Sequence, residues 1–516
     1  MWRKYEWLIG LVAIVLFAVF LHAQLFPFVA DTDGFYHIRH AAEYRESGLF
    51  QSEFPWTQYS SIKIHASDLW YGFHILLLPL TLFDSLIYGI YWGAFLITVV
   101  SLLLVFWSLK RLQIRWPVFW TLAFVMITAD LMYRLAMLRP HPISLGLTLL
   151  FFSYIIQNNL KIRDLWRPAL IAAVFAWLHI SLVWVMGIAL VAAAIFRFLQ
   201  TRKFDWQLWL ATLLGILAGW IARPNPLGAF KLAYIQVVKL MAIKDLPLRF
   251  GRELKPFVWE NFADQLIPIT ILLVLAFGVL FSLIKSGALK KSDPAAPAIG
   301  ASGFLTLLFL GMTFGIARRS NELFIGFAII FIGLLFTIFV RQKNRRSAAE
   351  ILVVLIGTLA LIIAPVKNIY RVDTYIANGF PPHMMRPAGK WLSDNARPGE
   401  IVFNIHWDRF GELFFWNPDN YYINGMDPIF EYDYNPQLYW ETHFYAIDKA
   451  TEYTCREIRC TAEEARDTYL ALKDDFRASY IVLEKRRNPS LNRYLATAPK
   501  FLNVFEDPNL IVYKIL

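Results

Sequence analysis

Asp31-Thr-Asp-Gly-Phe-Tyr-His-Ile-Arg39 follows directly on an apolar run over residues 8–29, and that juxtaposition decides how the chain is read. Asp31, Asp33, His37 and Arg39 stand where a hydrophobic segment leaves the bilayer, a place where ionisable groups are costly to hold and mark chemistry. The rest of the composition agrees with a membrane setting. Of 516 residues 57% are hydrophobic and 17% charged, and the mean hydropathy is +0.46, more apolar surface than a soluble chain hides from water.

Apolar runs of about 16 to 23 residues recur as far as residue 366, near the length that crosses a roughly 30 Å hydrocarbon core. The spans expected are 8–29, 86–108, 117–137, 142–159, 168–181, 182–197, 207–222, 263–285, 300–317, 323–340 and 349–366. The first lacks a small-residue cleavage site and is expected to be a retained helix. The stretch 69–83, with Pro79 inside and Asp68 and Asp84 at its ends, is expected to be interfacial or re-entrant. From Lys367 onward charges, Asn, Pro and Tyr are interleaved and no spanning run appears. The expectation is an α-helical polytopic membrane protein with about eleven transmembrane helices, over residues 1–366, followed by a mixed α/β extracytoplasmic domain over 367–516. Outer loops are expected at 30–85, with interfacial helices, and at 223–262.

The formal charge of +11 is a topological signal rather than a nucleic-acid footprint. Lys110, Arg111 and Arg115, Lys161, Arg163 and Arg167, Arg197, Arg202 and Lys203, Lys285, Lys290 and Lys291, and Arg341, Lys343, Arg345 and Arg346 fill alternate short loops, which are therefore cytoplasmic. With Arg3 and Lys4 inside, that count places the C-terminal domain on the periplasmic or extracytoplasmic side of the inner, cytoplasmic membrane. Cys455 and Cys460, the two cysteines, both lie in that domain, where an oxidising compartment permits a small-loop disulfide; two free thiols are the alternative. No repeat and no P-loop is present.

Drawn this way, the outer face collects Asp31, Asp33, His37, Arg39, Arg134, Arg139, His141, His179, Arg223, Arg318, Arg319 and Glu322. A face rich in Arg runs against the positive-inside bias and points to an anionic ligand, because the guanidinium fork binds phosphate even when partly desolvated. Snorkelling anchors are the alternative for any single one of them. Asp31 and Asp33 can serve as general base or cation ligands, or one of them as the N-cap of an amphipathic stretch over Phe35–Ser47. His37 and His40 are expected to be satisfied polar contacts rather than ligands.

Thr32-Asp33-Gly34-Phe35 after a first span, a long outer loop, a re-entrant stretch ending near Asp84, the Lys110-Arg111 pair, Tyr133-Arg134 and the segment Ala388-Gly-Lys-Trp-Leu-Ser-Asp-Asn-Ala-Arg-Pro-Gly-Glu-Ile-Val402 together resemble the GT-C membrane glycosyltransferases. Within them the likeness is to the single-chain oligosaccharyltransferases and the oligosaccharyltransferase catalytic subunit. The resemblance implies a polyprenyl-phosphate-linked sugar donor, a protein or glycan acceptor, and membrane lipids as partners, with no nucleic acid. It casts Asp33, with Asp31, as the catalytic acidic group. Arg318 or Arg319 would meet the donor phosphate, helped by Arg139, His141 and Arg134. Glu253 or Glu260 would be the acidic residue of the second long outer loop, and Trp407 and Asp408 would face the acceptor. Trp416, Tyr421, Tyr422, Asp427, Tyr432 and Tyr434 could serve there too, with ordinary core the preferred reading for most.

Two departures shape the expected chemistry. Where those enzymes carry a second acidic pair this chain reads Leu138-Arg-Pro-His-Pro142, so no cofactor is expected and a metal-independent reaction is favoured. A divalent cation, Mn or Mg, held by Asp33 and Asp31 is the alternative. Ile405-His406-Trp407-Asp408 keeps only the Trp-Asp of the acceptor-reading motif, which argues against Asn-x-Ser/Thr recognition. The competing classes are a transporter or flippase of lipid-linked sugars, disfavoured by the lack of internal symmetry, and a non-catalytic subunit of a glycan-assembly complex.

Overall fold

The computed structural model describes residues 2–157, 161–243, 246–341, 348–376 and 379–516. Part of the expected cytoplasmic loop around Lys343, Arg345 and Arg346 lies outside them. The chain divides into two compact units, one built from 1–26, 91–222 and 252–379 and the other from 27–90, 223–251 and 380–516.

The first unit is helical. Among the described residues seven helices are long and apolar enough to cross a bilayer: Tyr5–Leu25, Leu86–Arg111, Ile180–Thr201, Ile267–Lys285, Ala296–Gly315, Arg318–Arg341 and Leu355–Val372. Four of the eleven expected spans take other forms. The stretches 142–159, 168–181 and 207–222 become the shorter helices His141–Ile155, Trp166–Leu178 and Trp206–Ile221. The expected span 117–137 is two helices, Pro117–Met126 and Ala129–Leu135, bent by 100°. Thr128 causes the break. Its backbone is extended, and its hydroxyl accepts from Leu131 N to cap a new helix in mid-stretch.

Arg318–Arg341 is the buried heart of this unit. Ile325, Phe327, Ile330 and Phe331 are sealed among the neighbouring helices, and Phe327 stacks on Phe309 with ring centroids 5.7 Å apart. Trp206–Ile221 lies so close on Trp166–Leu178 that a Cβ on Gly215 would meet Ala169 O at 2.2 Å and one on Gly219 would meet Ala173 O at 1.9 Å. By contrast Tyr5–Leu25 exposes Leu8, Val12, Leu16 and Val19, a flank suited to lipid.

The second unit centres on a mixed sheet. Its strands are β1 (Ile401–Asn404), β2 (Tyr421–Tyr422), β3 (Tyr453–Cys455), β4 (Ala465–Asp467), β5 (Tyr480–Glu484), β6 (Phe501–Glu506) and β7 (Leu510–Ile515). The main sheet runs β2-β1-β5-β7-β6, with β1 parallel to both neighbours and β7 antiparallel to β5 and β6. Phe403, Ile405, Phe476, Ile481, Leu483 and Tyr513 form its core. β3 and β4 make a separate hairpin whose connection holds the Cys455–Cys460 disulfide.

The segments 27–90 and 223–251 belong to this unit. Tyr422 donates to Trp56 O, while Gln58 and Tyr59 donate to Tyr422 O and Ile423 O, so residues 56–59 run beside β2. Further on, Gln236 donates to Asp427 at 2.9 Å and Arg249 to Ala446 O at 2.6 Å. The stretch 69–83 forms the short apolar helical segment Tyr71–Leu82, too short to cross a bilayer.

Candidate active site

In the helical unit, three chain turns bring the expected arginines together. Ala317 is extended, Arg318 N donates to Lys255 O at 2.7 Å, and a tight turn over Arg318–Ser320 leads into the long helix. Asp130 and Arg134 stand at opposite ends of the helix Ala129–Leu135, and Arg139 precedes the helix that begins at His141. Three ion pairs result: Arg134 with Glu322, Arg318 with Asp130 at 3.0 Å, and Arg139 with Glu253 at 3.8 Å. Arg318 is further committed, donating to Gln265 at 3.1 Å and lying over the Phe257 ring.

Arg319 is different. It makes no ion pair among the described residues, and its buried Nε has no hydrogen-bond partner among them. The same holds for the buried Arg134 Nη2 and for both ring nitrogens of the buried His141, whose nearest acidic atom, Glu322 Oε2, is 4.0 Å away. Asp130, Arg134, Glu253, Arg318 and Arg319 line a solvent-open cavity of about 100 Å³. Among the five residues lining the cavity, three guanidinium groups face the carboxylates of Asp130 and Glu253. Burial pushes the Glu253 carboxyl up, yet Arg134, Arg139 and Arg319 outweigh it and hold the group at about 2. Its one ion pair among the described residues is with Arg139. Glu260, by contrast, lies exposed on the turn Trp259–Asn261. Unsatisfied donors around a cavity lined by three arginines favour an anion chemically, and guanidinium forks suit phosphate oxygens.

The acidic motif over residues 31–39 belongs to the second unit. The helix Asp33–Ser47 starts two residues before the expected Phe35, with Thr32 rather than either aspartate at the cap position. Asp33 occupies the first turn, where the helix dipole favours its charge, and Asp31 is buried just before it. The turn rests against Gly411: a Cβ there would lie 2.6 Å from Thr32 O. His37 contacts His74 and His40 contacts the Tyr36 hydroxyl, each at 2.8 Å.

Ile405-His406-Trp407-Asp408 continues β1 beyond its carboxyl end, beside the end of the parallel strand β5. His406 bonds Asn488 at 2.8 Å, Asp408 pairs with Arg487, and Arg409 grips Glu484 through two bonds of 2.9 and 3.0 Å. Trp407 is half-buried, whereas Tyr422 is fully buried core. Burial pushes Glu412 up to about 7 despite Arg409 and lowers His406 to about 4. Asp130, Gln265, Asp68 and His74 were not among the expected site residues. An aspartate inside an expected span is the signal that could have flagged Asp130.

No family model matches the sequence, and no curated protein matches it either. Solved structures do. The apo crystal structure of ArnT from Cupriavidus metallidurans superposes with a TM-score of 0.53 at 10% identity, covering 99% of this chain and 98% of that one. The same protein bound to undecaprenyl phosphate gives 0.49 at 12% identity, again over 99% and 98%. A cryo-EM structure of the arabinofuranosyltransferase AftD from Mycobacteria gives 0.50 at 14%, covering 99% of this chain and 41% of that one. At such identities the likeness is one of fold, and the fold of this chain is that of the GT-C membrane glycosyltransferases.

Proposed function

We propose that the chain is a membrane glycosyltransferase that moves a sugar or oligosaccharide from a polyprenyl-phosphate-linked donor to a protein or glycan acceptor on the extracytoplasmic side. The observation that carries this reading is the cavity beside Arg319 and Arg134, with buried donors unspent, in a chain of GT-C fold. Arg319, Arg134, Arg139 and His141 would hold the donor phosphate; Arg318, already bound to Asp130 and Gln265, would hold the wall. Asp33 would take the acceptor proton as the acceptor attacks the anomeric carbon, in a displacement with inversion. The sugar–phosphate bond breaks, its electron pair passes to the phosphate oxygen, and the guanidinium groups stabilise that charge without a metal. The carboxyl ends of the parallel strands, around Trp407 and Asp408, would receive the acceptor, the usual ligand position on such sheets.

The test is mass spectrometry of envelope glycolipids, glycans and glycoproteins in cells carrying the intact chain or a variant. Asp33→Asn should lower transfer by roughly 10²- to 10⁴-fold, the range for a lost general base, with the lipid-linked precursor accumulating. Arg319→Gln should lower it by about 10²-fold, the cost of removing one charge-stabilising donor, and more than Arg318→Gln does. Added Mn or Mg should not raise the rate. An unchanged glycan profile in Asp33→Asn would move the assignment to a transporter or a non-catalytic subunit.

A further inference from the structure

His40, Asp68 and His74 converge from the helix Asp33–Ser47, the loop before Tyr71, and the helix Tyr71–Leu77. All three side chains are buried, and one ligand atom from each lies within 4.8 Å of the other two. We propose that they form a zinc site that pins the helix bearing Asp33 to the helix of the re-entrant segment. The inference stands apart from the glycosyl-transfer reading, since it concerns what holds the outer loop together.

The donor set selects the metal. Two imidazoles and one carboxylate suit Zn²⁺, which accepts mixed nitrogen and oxygen ligands, whereas Mg²⁺ and Ca²⁺ want oxygen alone. Zinc–ligand bonds of about 2.0–2.2 Å put tetrahedral ligand atoms roughly 3.3 Å apart, so small side-chain rotations close the site.

The groups behind the ligands are already in place, as metal sites require. His37 Nδ1 contacts His74 Nε2 at 2.8 Å, which leaves His74 Nδ1 toward Asp68 Oδ2, 2.6 Å away. The Tyr36 hydroxyl contacts His40 Nδ1 at 2.8 Å and so assigns Nε2 to the metal. Trp70 N donates to Asp68 Oδ1 at 2.8 Å, and Tyr44 donates to Oδ2 at 3.1 Å. A hydrogen-bonded network alone would use the same contacts, and the experiment separates the two.

The full chain, purified in detergent without a histidine tag, is incubated with ZnCl₂, freed of loose metal and analysed by inductively coupled plasma mass spectrometry. About one zinc per chain is expected, falling at least tenfold in His40→Gln and in Asp68→Asn. His37→Gln, which removes the imidazole behind His74, should weaken affinity by about 10- to 100-fold. His443→Gln, a histidine elsewhere in the unit, should bind as the wild type does. Because a ligand variant could fail to fold, the wild type is also loaded with Co²⁺, for which the strong visible absorption of a tetrahedral nitrogen–oxygen site is expected. Zinc content at background, equal zinc in His40→Gln and wild type, or a Co²⁺ spectrum like that of the hydrated ion overturns the site.

Discussion

Glu431 is buried and Glu253 half-buried on an open cavity, and their neighbours send the two carboxyls in opposite directions. Three arginines hold Glu253 ionised, while Glu431, facing Asn424 and Thr442 with Glu441 nearby, is pushed by burial up to about 8. The buried Asn424 Oδ1 has no hydrogen-bond partner among the described residues, so an amide flip would let a protonated Glu431 donate to it. The raised pKa means that the folded protein binds this proton more tightly than the unfolded chain. Its contribution to stability is complete below about pH 4.5 and is lost as pH rises through about 8, at about 1.4 kcal/mol per unit between the two. Glu431→Gln should therefore match the wild type near pH 5 and melt higher near pH 9, read by thermal unfolding in detergent. Parallel melting curves across that range would assign the proton elsewhere. Residue identity alone could not show this, nor choose between the adjacent Arg318 and Arg319. What separates them is Asp130 and Gln265, more than 50 positions away in sequence and brought near only by the fold.

Helices were legible wherever apolar runs were long, because period and length are local properties. The helix Arg318–Arg341 falls over its expected span, with its first turn reaching back to the arginines. The break at Thr128 was not legible, since Ile127-Thr128-Ala129 is as apolar as its surroundings and only the cap reveals the corner. Short helices pack by a different rule, which the sequence does carry: Gly215 and Gly219, four apart, face the backbone at Ala169 and Ala173. A side chain at Gly219 has no room, so Gly219→Val must push the two helices apart, at a cost of about 1–3 kcal/mol or more. Gly278→Ala, where nothing lies within 4 Å of an added Cβ, is the matched control and should be nearly silent. Thermal unfolding in detergent followed by intrinsic tryptophan fluorescence compares the two; equal losses would mean that the close approach is not what stabilises this pair.

At the scale of the whole molecule, orientation rests on charge placed along the chain rather than on any one contact. Helices Leu86–Arg111 and Ile267–Lys285 end in basic residues, and the helix Arg318–Arg341 starts at the cationic cavity and runs away from it to Arg341. We propose, from the positive-inside bias, that the ends at Lys110, Lys285 and Arg341 face the cytoplasm and that the Arg318 end and the C-terminal domain face outward. The Cys455–Cys460 disulfide is in keeping with an oxidising side for that domain. Composition made the membrane class legible, but it could not show that residues 27–90 and 223–251 join the sheet-containing unit, because that depends on pairings such as Tyr422 with Trp56. The orientation is open to direct labelling with a membrane-impermeant maleimide. Asn503→Cys, exposed on β6, should react in intact spheroplasts, whereas Ser286→Cys, exposed after Lys285, should react only once the membrane is opened. The native pair supplies an internal check: in intact cells Cys455 and Cys460 should stay unlabelled until a reductant is added. Labelling of Ser286→Cys before Asn503→Cys would invert the molecule, put the arginine cavity on the cytoplasmic side, and remove the extracytoplasmic acceptor from the proposed reaction.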